Sequence, residues 1–425
     1  MNLPGSPRIA FRGNALHVED CSVDDLAREY GTPLYVYSRG AMLDALAPYQ
    51  RALAGREHLI CYAMKANSNL AVLQTFAQAG CGFDIVSGGE LERVLAAGGD
   101  PRKVLFSGVG KTEAEMRQAL AADVLCFNVD SEAELDRLSR VAVDAGRTAR
   151  VSLRVNPDVD PRTHPYISTG LKASKFGIAH ADALEAYRRA ASLPGLQVQG
   201  IDCHIGSQIT EIAPYLDALD RLLDLVETVE SHGIAIHHVD IGGGLGITYT
   251  DEAPPAADAL IAALLVRIDA RGHAHRKLMF EPGRSLVGNA GVLVTSVLYL
   301  KPGEVKNFCI VDAAMNDLLR PALYQAWMHI VECERRPEMP ATTWDVVGPV
   351  CESGDWLGHD RALAVLPGDH LAVLSAGAYA MSMASNYHTR CRAAELMVSG
   401  SRAACVRERE TAADQIRGER VWPAN

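Results

Sequence analysis

Lys65 stands where a reactive amine would be useful. It closes the segment His58–Lys65, whose apolar residues predict a short buried strand that ends in a loop. A lysine is seldom buried without a partner, and burial lowers the pKa of its amine, which makes the amine a nucleophile. A lysine whose amine reaches solvent from a strand end is the commoner case. The residues at the other predicted strand ends decide between these interpretations.

Polar residues and glycines recur at the ends of the predicted strands. In a barrel of parallel strands, the side chains at the C-terminal strand ends meet on one face. These positions hold Lys65, Asp84, Ser87, Asn128, Asp130, Arg154, His204, Ser207, Gly242, Gly243, Gly244, Glu281 and Arg284. We therefore predict one shared site at this face.

Two glycine-containing segments are typical of phosphate binding. In Asp240–Gly246, three consecutive glycines let backbone N–H groups approach a phosphate, although a tight turn explains the run equally well. The run is not GxGxxG and no predicted helix follows it directly, which disfavours a dinucleotide fold. The segment Glu281–Arg284 adds a glycine and a cation at the neighbouring strand end, where barrels commonly bind phosphate.

Glu281 and His204 suit an aromatic cofactor. A carboxylate facing the pyridine nitrogen of pyridoxal phosphate keeps that nitrogen protonated, and the alternative is a salt bridge from Glu281 to Arg284. His204 would stack on the ring while Ser207 donates to the phosphate. The alternative, a core histidine with satisfied hydrogen bonds, is commoner for a single histidine.

Two clusters in the last third of the chain carry further chemistry. Cys351 and Glu352 place a thiol beside a carboxylate, which suits a proton donor or, alternatively, a plain turn with an inert thiol. Arg320 and Tyr324 are four residues apart, and an arginine binds a carboxylate through two parallel hydrogen bonds unless it is simply solvated.

Composition narrows the class of protein. The 425 residues predict two or three domains, and the net charge of −11 disfavours nucleic acid or an anionic membrane as partner. No apolar signal segment and no membrane-spanning run is visible. The ten cysteines are scattered singly without zinc-site spacing, which is typical of reduced thiols in the cytoplasm. We expect a soluble cytoplasmic enzyme without a metal.

Eight β-branched runs alternate with helical segments. This alternation predicts a parallel sheet closed into an (α/β)8 TIM-like barrel, with a doubly wound open sheet as the alternative. The predicted eighth helix, Ala41–Leu53, precedes the first strand. The runs are Leu59–Ala63, Gly82–Val86, Val104–Ser107, Leu125–Val129, Val151–Val155, Val198–His204, His237–Ile241 and Leu278–Glu281.

Two helix start signals support the predicted alternation of strands and helices. Thr112-x-x-Glu115 and Ser131-x-x-Glu134 both have the form of a capping box.

A mainly antiparallel β domain follows the barrel and uses both chain ends. The alternation from Val292 to Leu300 is the strongest signal for this domain. We expect a pyridoxal-phosphate-binding barrel over 33–285 and a β-rich domain over 1–32 and 286–425 that completes the active site. The other predicted strands of this domain are Phe308–Val311, Trp344–Val347, His370–Leu374, Arg8–Phe11, Leu16–Val18 and Leu34–Tyr37.

Eight segments carry a family resemblance that runs in order from about Leu34 to the C-terminus. They resemble the signature segments of diaminopimelate decarboxylases, which are pyridoxal-phosphate enzymes of the alanine-racemase-like barrel fold (fold type III). The segments are YAMKAN, GFDIVSGGEL, HIGSQI, DIGGGLGI, EPGRSLV, MNDLLRPALY, GPVCESGD and SNYHTRCRAAE.

The resemblance implies a role for each matching residue. Lys65 would be the Schiff-base lysine, His204 would stack on the cofactor ring and Glu281 would pair with its nitrogen. The other cofactor-binding positions, most of them around the phosphate, would be Asp84, Ser207, Gly243, Gly244, Gly283, Arg284 and Tyr379.

The resemblance also implies a substrate and a partner. Arg284, Arg320, Tyr324 and Tyr379 would bind the substrate, with Glu352 at its distal ammonium. Cys351 would be the general acid. The family's Cys351 and Glu352 positions enter the partner subunit's site, which implies a homodimer with shared active sites.

The implied reaction converts meso-2,6-diaminoheptanedioate to L-lysine and carbon dioxide. Carboxynorspermidine or a basic amino acid is the alternative substrate, and Arg320 counts against the simple diamines. A racemase would need a tyrosine-type second base, and a non-catalytic pyridoxal-phosphate carrier should have lost Lys65 or Cys351.

The chain departs from the family pattern at two alanines. Ala314 and Ala380 stand where glycine is usual, and each added methyl is expected to tighten a loop. The segments Ile167–Leu171 and Ser174–Gly177 resemble the loop that shapes the family's substrate pocket.

Overall fold

The computed structural model describes residues 3–160, 169 and 174–423. The strands of this part of the chain are β1 Ile9–Arg12, β2 Ala15–Val18, β3 Cys21–Ser22, β4 Leu34–Ser38, β5 His58–Ala63, β6 Gly82–Ile85, β7 Val104–Phe106, β8 Cys126–Val129, β9 Ala149–Asn156, β10 Ile178–Ala179, β11 Leu196–Asp202, β12 His238–Asp240, β13 Lys277–Phe280, β14 Gly291–Lys301, β15 Phe308–Val311, β16 Ile330–Glu332, β17 Thr342–Val347, β18 Trp356–Leu363, β19 His370–Val373, β20 Ala394–Ser399 and β21 Arg402–Arg407.

The helices of the same ranges are α1 Val23–Tyr30, α2 Arg39–Ala52, α3 Leu70–Gln78, α4 Gly88–Ala96, α5 Glu113–Ala122, α6 Glu132–Asp144, α7 Ala183–Ser192, α8 Ala213–Ser231, α9 Ala257–Ala270, α10 Arg284–Val287, α11 Arg320–Tyr324 and α12 Ala412–Ile416. None of the described helices is long and apolar enough to cross a lipid bilayer.

Eight parallel strands close into a barrel. Their order is β5, β6, β7, β8, β9, β11, β12 and β13, and β13 pairs with β5 to complete the circle. The closed barrel confirms the prediction and excludes the open sheet. Helix α2 precedes the first barrel strand, close to the predicted eighth helix. Strand β11 ends two residues earlier than predicted, which leaves His204 in the loop after it.

The two predicted capping boxes turn out differently. Thr112 accepts from the backbone N–H of Glu115, whose side chain returns to the backbone of Thr112, so this capping box is confirmed. Ser131 caps α6 in the same way, but the predicted return bond is wrong. Glu134 Oε1 instead binds the buried Lys111 amine at 2.7 Å, and its Oε2 accepts from the backbone N–H of Asp130 at 3.0 Å.

A nine-stranded sheet contains most of the strands outside the barrel. Its main path is β18-β17-β15-β14-β4-β20-β21, and β19 pairs with both β14 and β16. Most pairs are antiparallel, whereas β15–β17 and β4–β20 are parallel. This sheet confirms the predicted mainly antiparallel architecture.

The N-terminal strands belong to two different sheets. Strand β4 joins the large sheet, but β1, β2 and β3 form a separate three-stranded sheet. Alternating hydrophobicity identifies a strand without identifying its neighbours. The inner faces of these strands pack in one apolar cluster that includes Leu16, Val36 and Leu396.

The chain divides into two compact units. One comprises Leu43–Ile247 and Glu252–Leu286 and contains the barrel. The other comprises Met1–Met42, Thr248–Asp251 and Val287–Asn425 and contains both smaller and larger β-sheets.

Candidate active site

Lys65 lies in a short 3-10 turn, Met64–Ala66, directly after β5. Its Nζ donates to Asp84 Oδ2 at the end of β6 at 2.8 Å. The Lys65 side chain is 36% exposed whereas that of Asp84 is fully buried. A buried carboxylate therefore anchors an amine that still reaches solvent, which suits a nucleophile that must meet an incoming molecule.

His204 is a neutral imidazole in the loop after β11. Its Nδ1 accepts from the backbone N–H of Gly243 at 3.2 Å, so the proton of the neutral ring is assigned to Nε2. Burial, followed by the positive charges of Arg154 and Lys65, holds the pKa of His204 well below its usual value. A flat, uncharged ring of this kind can stack on another aromatic ring.

The glycine run after β12 brings bare backbone close to its neighbours. Gly242 and Gly244 adopt φ values of +71° and +99°, which side chains rarely tolerate. A Cβ on Gly243 would lie 2.1 Å from the carbonyl oxygen of Glu281, and one on Gly244 would lie 2.3 Å from that of Gly206. The sequence therefore needs glycine here for close packing.

Arg284 and Ser207 lie together at the same end of the barrel. Arg284 is buried, and its Nη2 donates to Ser207 Oγ at 2.9 Å. Gly283 packs tightly as well, since a Cβ there would lie 3.1 Å from the carbonyl oxygen of Ala63. A buried guanidinium beside a hydroxyl is suited to an anion such as a phosphate.

Glu281 is buried and bound to a residue that we did not foresee. Its Oε1 accepts from Asn128 Nδ2 at 3.2 Å, whereas Arg284 binds Ser207. The salt bridge between Glu281 and Arg284, considered as an alternative, is therefore not formed. Burial raises the pKa of Glu281 well above its usual range, helped by the charge of Asp84.

Two further acids, Asp202 and Asp240, surround Glu281. Carboxylate oxygens of these three residues lie within 4.8 Å of one another, and all three side chains are buried. Burial raises the pKa of Asp202 to about 7 and that of Asp240 well above its usual range. The cluster therefore retains at least one proton near neutral pH, because adjacent buried carboxylates cannot all ionise.

The residues at this end of the barrel fit pyridoxal phosphate. The bare Gly243 backbone and the Arg284–Ser207 pair suit a phosphate, and the neutral His204 ring suits a pyridine ring. Asp84 Oδ1 is buried without a hydrogen-bond partner, which leaves an acceptor for a polar group. The barrel and these groups define the class of pyridoxal-dependent barrel enzymes.

Arg320 and Tyr324 lie together in the β-rich unit. They occupy the two ends of α11, and the Arg320 guanidinium lies 5.0 Å from the ring centre of Tyr249 and 5.7 Å from that of Tyr324. Arg320 is buried, so two aromatic rings hold its planar group. Sequence reasoning found Arg320 and Tyr324 but missed Tyr249, whose signal, a lone tyrosine in a loop, is weak.

Cys351 and Glu352 are exposed in the turn between β17 and β18. Asp355 fixes this turn, since its carboxylate accepts from the N–H groups of Met315 and Val350, each at 2.7 Å. A hydrogen bond to Glu352 raises the pKa of the exposed Tyr387 hydroxyl. The thiol and the carboxylate are therefore presented outward on a fixed turn.

Tyr379 has a left-handed backbone with φ of +53°, a conformation that costs a non-glycine residue roughly 1–3 kcal/mol. The neighbouring Ala380 is buried and has φ of −114°, and Ala314 is buried without a positive φ. Neither backbone conformation requires glycine, so the two departures from the family pattern bring no left-handed strain.

Part of the predicted pocket loop lies outside the described residues, namely 167, 168, 170 and 171. The described site residues fall into two groups. Lys65, Asp84, His204, Ser207, Gly243, Gly244, Glu281, Gly283 and Arg284 belong to the barrel unit, and Arg320, Tyr324, Cys351, Glu352 and Tyr379 belong to the β-rich unit.

Comparison with known proteins identifies the family. Residues 40–288 match the model for the pyridoxal-dependent decarboxylase, pyridoxal binding domain. The chain is 56% identical over 408 residues to the diaminopimelate decarboxylase of Vibrio cholerae, covering 96% of this chain and 97% of that protein. The chain belongs to the diaminopimelate decarboxylase family.

Solved structures agree with this assignment. The diaminopimelate decarboxylase of M. jannaschii in co-complex with L-lysine superposes with a TM-score of 0.94 at 37% identity, covering 99% of both chains. The Helicobacter pylori enzyme complexed with L-lysine gives a TM-score of 0.88 at 40% identity, covering 92% of this chain and 98% of that one.

Proposed function

We propose that this chain catalyses the pyridoxal-phosphate-dependent decarboxylation of meso-2,6-diaminoheptanedioate to L-lysine and carbon dioxide, the last step of lysine biosynthesis. The observation that carries this proposal is the 56% identity to a diaminopimelate decarboxylase over nearly the full length of both chains. Lys65 and Cys351, which a non-catalytic carrier would be expected to lose, are both present.

The cofactor would be held by the residues at the barrel end. Pyridoxal phosphate, when bound, supplies a ring that accepts the electron pair of the breaking bond between Cα and the carboxylate. Lys65 would hold the cofactor covalently, and Glu281 would keep a proton on its ring nitrogen. His204 would support the ring, with Asp84 held against Lys65. The phosphate would be bound by Ser207, Gly243, Gly244, Gly283, Arg284 and Tyr379.

The substrate would be selected by its distal end. Arg320 offers a planar guanidinium for the distal carboxylate, assisted by Arg284, Tyr324 and Tyr379. Glu352 would accept from the distal ammonium. A substrate that lacks the carboxylate would leave Arg320 desolvated without its partner, at a cost on the order of 1–3 kcal/mol.

Cys351 would finish the reaction as general acid. After carbon dioxide leaves, its thiol gives a proton to Cα, and the thiolate is re-protonated from solvent. This role requires an accessible thiol, and Cys351 is exposed. By family resemblance, Cys351 and Glu352 act in the partner subunit's site, so we propose a homodimer.

We also propose that the enzyme works in the cytoplasm. All ten cysteines, each in the described part of the chain, are free thiols, which suits a reducing compartment. The amino-acid substrate and the biosynthetic role agree with this location.

Carboxynorspermidine is the alternative substrate that Arg320 does not argue against, because it also carries a distal carboxylate. Simple basic amino acids would be expected to need an acid at position 320. A racemase would need a second tyrosine-type base.

Carbon dioxide release from meso-diaminopimelate, carboxynorspermidine, lysine, ornithine and arginine, with pyridoxal phosphate added, tests the proposal. We expect release from meso-diaminopimelate alone. Release from another amino acid would overturn the substrate assignment, and release only from carboxynorspermidine would favour the alternative. No release from any of them, with cofactor bound, would favour the carrier.

A further inference from the structure

Asn128 and Glu281 meet across the barrel. Asn128 lies on β8 and Glu281 directly follows β13, and the strand order places these two strands on opposite sides of the barrel. Their side chains nevertheless form a hydrogen bond, Nδ2 to Oε1, at 3.2 Å. Both residues are buried, with Asn128 showing no exposed surface. The bond therefore joins opposite walls of the barrel in its interior.

Asn128 is itself fixed by its neighbours. Its backbone carbonyl accepts from the Lys111 amine at 2.7 Å, and that amine also binds Glu134 at 2.7 Å. Its Nδ2 also donates to Ser107 Oγ at 3.2 Å. The end of β8 is thus held by a buried ion pair, and the amide is aimed at Glu281 with little freedom to turn away.

The donor matters because Glu281 lies among other acids. Carboxylate oxygens of Glu281, Asp202 and Asp240 lie within 4.8 Å of one another, so these acids compete for the proton that the cluster retains. Asp240 Oδ1 accepts from the backbone N–H of Gly242 at 2.8 Å, which favours the negative charge on Asp240. The Asn128 amide gives Glu281 a competing donor.

The charged groups around Glu281 do not remove the competition of the clustered acids for a proton. The groups that act electrostatically on Glu281 include Asp84, Asp202, Asp240 and Lys65. Lys65 is already bound to Asp84. Among the described residues, Asn128 is the neutral side chain that donates to Glu281.

We propose that Asn128 is a positioning residue whose amide, reaching across the barrel, stabilises the ionised form of Glu281. This inference rests on the proposed function, in which ionised Glu281 faces the pyridine nitrogen. Without the amide, Asp240 keeps its Gly242 donor and Glu281 has none. Glu281 then takes up a proton of its own and can no longer stabilise a protonated ring nitrogen.

The test uses the holoenzyme with Asn128→Leu, which keeps a similar side-chain volume without donors. Ser107→Ala is the matched control, because it removes the other acceptor of the same Nδ2 and leaves the bond to Glu281. Thermal unfolding and cofactor stoichiometry establish that each variant is folded and loaded. If Asn128→Leu does not fold, Asn128→Ser replaces it.

Infrared spectroscopy reads the protonation state directly from the C=O stretch of protonated carboxyls. We expect Asn128→Leu to gain such a band, and the double variant Asn128→Leu/Glu281→Gln to lack it. In steady-state kinetics with meso-diaminopimelate, kcat should fall by about tenfold to a hundredfold, as for other orienting partners, with KM within about twofold. Ser107→Ala should show neither change.

An Asn128→Leu spectrum without the new band, or the same band in Ser107→Ala, would overturn the assignment. A fall in kcat without the band would also overturn it, since that pattern indicates a structural role alone. If the wild-type protein fails to decarboxylate meso-diaminopimelate, the proposed function fails, and the infrared comparison still decides the role of Asn128.

Discussion

At the scale of the residue, Lys65 combines a fixed position with access to solvent. Its amine lies 2.8 Å from buried Asp84 while the side chain is 36% exposed. We expect Lys65→Ala to lower kcat more than about a thousandfold, on the order of 4 kcal/mol of barrier, because no other amine replaces the lost nucleophile. Carbon dioxide release and the absorbance of covalently held cofactor measure this, with exposed Lys301→Ala as control. An active Lys65→Ala enzyme would remove the central role given to this amine.

Arg320 gives a second prediction at this scale. Arg320 is buried, and its guanidinium lies 5.0 and 5.7 Å from the ring centres of Tyr249 and Tyr324, respectively. Replacing it by lysine retains the charge but removes the planar pair of donors, so kcat/KM for meso-diaminopimelate should fall roughly tenfold to a hundredfold. In Arg320→Met, kcat/KM for meso-diaminopimelate should fall further. Equal rates for Arg320→Met and wild type would show that the distal carboxylate is bound elsewhere.

Residue types alone identified most of the candidate site, but not the contacts within it. Lys65, His204 and Glu281 stood out because strand-end positions in a barrel share one face. Asn128 was noticed at a strand end, yet its bond to Glu281 spans 153 positions of sequence. Which side chains meet across a barrel depends on strand tilt and rotamer, and neither can be read from one sequence.

At the scale of the element, the pairing of β11 with β12 depends on one glycine. Gly200 is the register partner of His238, and a Cβ on Gly200 would lie 2.0 Å from His238 Nε2. Gly200→Ala should therefore destabilise the protein by about 1–3 kcal/mol through overpacking. Urea unfolding measures this. Gly110→Ala is the control, because a Cβ there meets nothing within 4 Å, and equal stability of the two variants would contradict the argument.

The same pair of strands makes stability depend on pH. Burial lowers the pKa of His238 to about 3, whereas an unfolded histidine titrates near about 6.5. Below about pH 6.5 the unfolded chain binds a proton that the native state does not. As the pH falls, this residue alone therefore lowers the free energy of unfolding by about 1.4 kcal/mol for each pH unit. His238→Phe should flatten that slope in urea unfolding between about pH 6.5 and 4.5. His232 is exposed, so His232→Gln should leave the slope unchanged. A flattened slope in that variant would contradict the assignment to His238.

Local rules predicted elements better than their partners. The alternation from Val292 to Leu300 predicted β14, and Thr112 with Glu115 predicted the start of α5. The return bond from Glu134 failed because Lys111, 23 residues away, competes for the same carboxylate. Tertiary contacts of this kind override a local motif.

At the scale of the whole molecule, the proposed dimer predicts complementation. If each site combines Lys65 of one chain with Cys351 of another, mixing Lys65→Ala and Cys351→Ala chains creates one intact site per mixed dimer. Random exchange should restore about a quarter of the wild-type activity, because half of the dimers are mixed and each has one working site. Carbon dioxide release after mild unfolding and joint refolding measures this, with each variant refolded alone as control. No recovery would show that the sites are not shared.

Strand β4 lies between β14 and β20, so the interior of the larger sheet joins residues 34–38 to residues 394–399. During synthesis on a ribosome, the barrel strands from His58 to Phe280 emerge well before β20. The barrel can therefore close while one long edge of β4 is still unpaired. An unpaired edge is a template for pairing with other chains. A nascent chain thus carries this exposed edge until β20 is made, and that interval is when a chaperone would protect it most.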